Sequence, residues 1–288
     1  MFAGALLAQA ASPFAGRWDL WITDRDEKYP GWMELVEGSG GPRVRAQPRT
    51  GGVVPAKTVK LNGSHLRITF GKGILWDLTA SGGDLIGTQS RNHAMARVKG
   101  VRAPELNREP PKSWTSPEAI FNGRDLSGWE PDNPAINHWV AEDGILLNKE
   151  HGANLRSARK FQDFKLHIEL NCPDGGNSGV YLRGRYEIQV AYEKGPDAYH
   201  SMGAIYGFLK PSVELPRKPG QWESFDATLI GRRLTLVRDG VMTLKDAEIP
   251  GITGGALDSD EAEPGPIYIQ GDHTGGMEYR NITVALPE

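Results

Sequence analysis

Short runs in which apolar and polar positions alternate dominate this chain, and long stretches with a 3.6-residue period are missing. Phe164, Leu166, Ile168 and Leu170 form an apolar stripe against Lys165, His167 and Glu169, the mark of a strand with one face in a core. Tyr186, Ile188 and Val190 alternate in the same way with Glu187 and Gln189, and Val180 and Leu182 with Tyr181 and Arg183. Asn62-Gly63 and Gly82-Gly83 sit between such runs as hairpin turns. The pattern predicts an all-β protein.

The runs fall into two groups. From Gly16 to about Val98, roughly eight short strands follow one another, which predicts a small up-and-down barrel or rolled sheet over residues 16–98. Trp18, Trp21, Trp32 and Trp76 suit either the filling of such a barrel or the lining of a ligand cavity, with filling the expectation. Residues 99–117 carry four prolines and little periodicity, as expected of a semi-rigid linker. About twelve further strands in 118–288 predict a two-sheet jelly-roll sandwich.

Composition narrows the function. The 288 residues suffice for two cores, and 33 basic against 36 acidic residues leave a net charge of -3 with no basic stripe, so no nucleic-acid partner is expected. No apolar run is long enough to span a bilayer. Met1–Ala11 is short, apolar and ends on Ala8-x-Ala10, like the tail of a secretory signal within 1–15, although the charged leader is missing. Export to a bacterial periplasm or beyond is the expectation; an ordered apolar N-terminus packed on the barrel is the alternative. The lone Cys172 permits no internal disulfide and reads as a small buried residue.

The most informative stretch is Gly176–Gln189. Alternation puts Glu187 and Gln189 on one face of a sheet, and Tyr181 and Arg183 on one face of the preceding strand. An acid, an amide, a guanidinium and a phenol make poor packing material and a good lining for a sugar; a solvated sheet face is the plainer reading. Asp258-Ser-Asp260-Glu261 is an oxygen-rich loop of the kind calcium favours, without the full spacing of an EF-hand.

Several motifs, in order and at fitting distances, make residues 117–286 resemble the 3-keto-disaccharide hydrolase domain family, a concanavalin-like sandwich. They are Ile120-Phe-Asn-Gly-Arg-Asp-Leu-Ser-Gly-Trp129, Gly176-Asn-Ser-Gly-Val180, Tyr186-Glu-Ile-Gln189, Gly203-Ala-Ile-Tyr-Gly207 and Gly265-Pro-Ile-Tyr-Ile-Gln270 with His273. Gly16-x-Trp18 is similar to the first strand of lipocalin-like barrels. The first resemblance implies an exported enzyme that cleaves glycosides oxidised at carbon 3. One departure stands out: where the family commonly has an Asp three positions after the Gln, this chain has Tyr192, with Glu193 next.

Cleavage of a 3-keto sugar by elimination and hydration needs a base, a group that stabilises an enolate and an acid for the leaving oxygen. Glu187 or His273 suits the base, Arg183, Gln189 or a metal ion the enolate, and Tyr206 or His273 the acid. Tyr181, Asn177, Gln270 and His200 are expected to bind the sugar, although His200 also reads as part of a mobile loop. A divalent metal is an open possibility, with Glu187, His273, Asp258 and Asp260 as candidate ligands. The rival readings are a carbohydrate-binding protein without turnover and a conventional glycoside hydrolase. The latter is disfavoured because the strand Glu187-Ile-Gln189-Val-Ala-Tyr192 lacks the second and third acids of a Glu-x-Asp-x-x-Glu run.

Overall fold

The computed structural model describes residues 12–92 and 94–288, so the leader-like segment 1–11 lies outside the described residues. Strands account for nearly all of the regular structure, as the alternation predicts. Internal contacts divide the chain into two units: the first holds the residues up to Ala46 and Val54–Ala103, the second Gln47–Val53 and Pro104–Glu288.

The first unit is a nine-stranded antiparallel meander in which the last strand, Ala94–Arg102, pairs back onto the first, Gly16–Asp24. Trp18 and Trp76 are buried in its core beside Phe14, Leu20, Leu66 and Ile68. Phe14 shows that the ordered domain begins before Gly16, with the Trp18 indole donating to Phe14 O at 2.9 Å. Trp32 is also buried, whereas Trp21 is half-buried under the Lys28 ammonium. Two short strands, Arg43–Gln47 and Val54–Pro55, have too few alternating positions to be read from the sequence.

The second unit has two antiparallel sheets. The larger runs through Trp139–Glu142, Ile145–Asn148, Met277–Ala285, Phe164–Asn171, Trp222–Ile230, Arg233–Arg238 and Val241–Glu248. The smaller orders Trp129–Pro131, Leu155–Phe161, Gly265–Ile269, Asn177–Leu182 and Tyr186–Ala191. Phe164, Leu166, Ile168 and Leu170 of the first sheet and Val180, Ile188, Val190 and Ile269 of the second are all buried, which makes a jelly-roll sandwich core. Ser178 and Tyr279 share a 2.7 Å hydroxyl contact from one sheet to the other.

The proline-rich joint is shorter than 99–117. Strand pairing continues through Arg102, and the rest packs on the sandwich: Thr115 N donates to Leu286 O at 2.8 Å, and Arg108 pairs with Asp163 at 3.2 Å. Prolines lack an N–H to be satisfied, so such a segment packs on the sandwich with fewer donors to pair. Cys172 is buried, and burial pushes its thiol up to about 12, as a structural residue requires.

Candidate active site

The register of the small sheet builds the site. Tyr181 pairs with Glu187, Gly179 with Gln189 and Asn177 with Ala191, so these side chains share the face that turns away from Val180, Ile188 and Val190. Glu187, Gln189 and Tyr181 are each at most 3% exposed, which removes the solvated-face reading. They border a cavity of about 110 Å³. Gln270, Asp272 and His273, which follow the neighbouring strand, close one side, and Tyr206 another. Thr50 and Gly51, in the short segment that clusters with this unit, complete the lining.

Local geometry fixes each group. Glu187 N donates to Thr253 Oγ1 at 3.0 Å, and Glu187 O accepts from Tyr206 N at 3.1 Å. Gly179 has no side chain, and the Glu187 carboxyl lies across it; a Cβ there would collide with the Glu187 Oε1, Cγ and Cδ atoms. Asn154 Oδ1 accepts from the amides of Gly271 (2.7 Å) and Asp272 (3.2 Å), which holds the loop carrying the catalytic candidates. His273 Nδ1 meets Asp272 Oδ1 at 2.9 Å, so Nε2 is the nitrogen left to face a substrate.

Electrostatics sets the protonation states. Burial pushes the Glu187 carboxyl up to about 8; the Tyr181 hydroxyl within reach pulls the other way, and the charge of Asp272 pushes further up. Glu187 is therefore largely uncharged at neutral pH and is able to donate to Tyr181 Oη, which itself donates to Gly254 O at 2.8 Å. The hydrogen bond to Asp272 raises His273 above its ordinary value. Burial opposes the Asp272 charge, but His273 holds that carboxylate below its usual range. Tyr206 is pushed up by burial and by Glu187, so its phenol keeps its proton. The Oε1 atoms of Gln189 and Gln270 are buried without a partner among the described residues, and both side chains border the cavity. Buried carbonyl oxygens of this kind require a donor, which sugar hydroxyls supply.

Of the eleven residues singled out in the sequence, Glu187, His273, Tyr206, Gln189, Tyr181, Asn177 and Gln270 meet at this cavity. His200 stands behind it: its Nδ1 meets Asp197 at 2.8 Å and its ring packs edge-on against Tyr206, 4.6 Å between centroids. Arg183 is misplaced by the alternation. The strand ends at Leu182, Arg183 turns the chain at φ 54, and its guanidinium is buried toward the sandwich core, donating to Tyr186 Oη (3.1 Å) and Gly231 O (2.7 Å). Asp258 is occupied too, accepting from Arg185 Nε at 2.5 Å and Asp260 N at 2.9 Å, while Asp260 is exposed. Among the described residues no group of three His, Cys, Asp or Glu side chains is arranged to hold a metal ion.

Sequence reading missed Asp272, Gly179 and the 47–53 segment. Asp272 precedes a candidate histidine, which is the one local signal available for it. The acid expected by the family at position 192 is replaced by a tyrosine that points elsewhere: its hydroxyl bonds Glu223, accepts from Arg238 Nη2 at 2.8 Å and from Lys218 N at 2.9 Å.

Residues 116–285 match the model of a family described as the 3-keto-alpha-glucoside-1,2-lyase-like domain. A 3-keto-disaccharide hydrolase of Bacteroides thetaiotaomicron is 28% identical over 131 residues, 41% of this chain and 44% of that protein, so the chain spans less than half the length of this relative. A crystal structure of a presumed glycosyl hydrolase from Parabacteroides distasonis is similar at 26% identity and a TM-score of 0.50, over 62% of this chain and 93% of that one.

Proposed function

The chain belongs to the 3-keto-alpha-glucoside-1,2-lyase-like domain family, and on that premise we propose that its sandwich unit cleaves 3-keto-glycosides by elimination followed by hydration. The observation that carries this reading is a buried carboxyl in one cavity with two glutamine oxygens that have no partner among the described residues; burial pushes that carboxyl up to about 8. A hydroxyl-rich ligand satisfies the oxygens, and proton transfer uses the carboxyl.

The C3 ketone acidifies the proton on C2. His273 Nε2, oriented by Asp272, removes that proton, and its electron pair moves into an enolate with the oxygen at C3. The amide of Gln189, which gives one hydrogen to Asn177 Oδ1 at 3.3 Å, offers the other to that oxygen. The C1–O bond then breaks, and Glu187 gives its proton to the leaving oxygen. Water adds to C1 and a proton returns to C2, so the sum is a 3-keto sugar and a free alcohol.

A second reading has one observation in its favour. Asp272 brings a second carboxylate to the cavity of Glu187, which a conventional glycosidase needs. That carboxylate is engaged with His273, which favours elimination. Incubation in D2O with a disaccharide and with its 3-keto form separates the readings. Release from the oxidised form alone, with deuterium at C2 of the early product, supports elimination. Cleavage of the unoxidised sugar without deuterium supports the two-carboxylate reaction. Binding without release makes the protein a carbohydrate-binding one.

A further inference from the structure

Two walls flank Glu187 in its cavity. On one, the Tyr181 hydroxyl donates to Gly254 O at 2.8 Å. On the other, Tyr206 N donates to Glu187 O at 3.1 Å, and His200 packs on the Tyr206 ring. Residues 47–53 touch both walls. They are the loop of a hairpin whose arms are Arg43–Gln47 and Val54–Pro55, with Ala46 paired to Val54. Gly255 N donates to Arg49 O at 3.3 Å, which seats the loop on the first wall. Gly52 lies against His200 Nε2 and against Gly207, the residue after Tyr206, which seats it on the second.

Missing side chains make the fit. A Cβ on Gly254 would collide with Gly51 O, and one on Gly207, at φ 73, with Gly52 Cα and Val53 N. The loop is also braced from within: the Gln47 amide, buried at 1% exposure, donates to Pro48 O at 2.9 Å and to Gly51 O at 2.6 Å. Thr50 and Gly51 bring this strap into the cavity lining. The match to the family covers 116–285, so the strap is a piece of wall that the family domain does not itself supply. At about 110 Å³ the cavity suits a single sugar ring; sites for drug-sized ligands begin at roughly 300 Å³. In the elimination proposed above, Glu187, His273 and Gln189 serve C1, C2 and C3, which leaves the strap for the C4–C6 edge of the ring.

We propose that residues 49–52 determine specificity by closing the cavity over that edge, so that the substrate is a 3-keto ring unsubstituted at O4 and O6, at the end of a chain and not inside it. The proposal rests on the reaction above, so one of its readouts needs no turnover. The measured quantity is kcat/KM for the 4,6-di-O-methyl derivative of methyl 3-keto-glucoside, divided by that for methyl 3-keto-glucoside itself. Thr50 is exposed outside any strand, so Thr50→Gly is expected to keep the fold. It should raise the ratio about tenfold, the lower end of what pocket size discriminates. Gly254→Ala, which pushes the strap from its seat without touching Thr50, should raise it as well. An unmoved ratio in Thr50→Gly overturns the proposal. Calorimetric titration of both sugars into Glu187→Gln protein, with and without Thr50→Gly, reads the same ratio from Kd. A tenfold change there supports the strap even if no glycoside is cleaved, and binding of neither sugar overturns it. Cleavage of 3-keto-glycosides with an unmoved ratio overturns the strap and leaves the proposed reaction standing.

Discussion

Two buried glutamates, each beside a tyrosine, have opposite fates in the sandwich. Glu223 is 2% exposed and is bound by Arg238 Nε at 2.9 Å and by the Tyr192 hydroxyl, with Arg238 also donating to that tyrosine. Every charge there meets its complement, and the three side chains brace the loop at Lys218 to the sheet. Glu187 is 3% exposed with Tyr181 nearby, but among the described residues no cation forms an ion pair with it, and burial pushes it up to about 8. A buried acid with a guanidinium is a fastening; without one it keeps a proton that can be given away.

The same isosteric change at the two positions puts this contrast to its hardest test. Glu187→Gln should lower turnover of a 3-keto-glycoside by roughly 10²–10⁴-fold, the scale for losing a positioned proton donor, while the protein stays folded. It should also abolish the fall in rate above about pH 8 that ionisation of Glu187 causes in the parent. A parent rate that instead climbs through pH 8 would make Glu187 the base and His273 the acid. Glu223→Gln should do the reverse, leaving the Arg238 guanidinium buried without its counter-charge. Denaturant titration is expected to show a loss of about 3–5 kcal/mol, and near-parental stability would dissolve the contrast.

The next effect is smaller and concerns stability alone. The folded chain keeps Glu187 protonated up to about pH 8, whereas the unfolded chain releases that proton above the ordinary value of 4.5. Between those limits the unfolded state binds fewer protons, so this group makes stability fall as pH rises from about 4.5 to about 8, and the penalty is constant beyond. Unfolding of the parent and of Glu187→Gln at pH 5 and pH 8.5 should differ by a few kcal/mol at the higher pH, at about 1.4 kcal/mol per unit. Parallel curves would mean that the carboxyl is charged in the folded protein. The smallest effect is expected of Asp272→Asn, roughly 100-fold in turnover, the lower end of acid–base contributions. Without the Asp272 carboxylate His273 titrates lower, so the acid limb of the rate profile should move to lower pH; an unmoved limb would take His273 out of the reaction.

Much of this was legible in the chain because strands obey a period of two. That period placed Tyr186, Ile188 and Val190 in the core and Glu187 with Gln189 on the other face, and Gly82-Gly83 marked its turn with both glycines at positive φ. The period also misled at its limit. It carried Arg183 onto the face of Glu187 because nothing local announces that the strand stops at Leu182.

The sequence by itself determined the all-β architecture, the two groups of strands, the family and seven of the side chains at the cavity, since these follow from alternation, turn residues and ordered motifs. Only the tertiary structure decided that Asp272 pairs with His273 there, that Gly179 makes room for the Glu187 carboxyl, and that residues 47–53 join the sandwich unit. It alone decided the charge of Glu187. Desolvation depends on everything packed around a carboxyl, and the groups that enclose Glu187 come from Tyr181, Thr253, Tyr206 and Asp272, far apart in the chain.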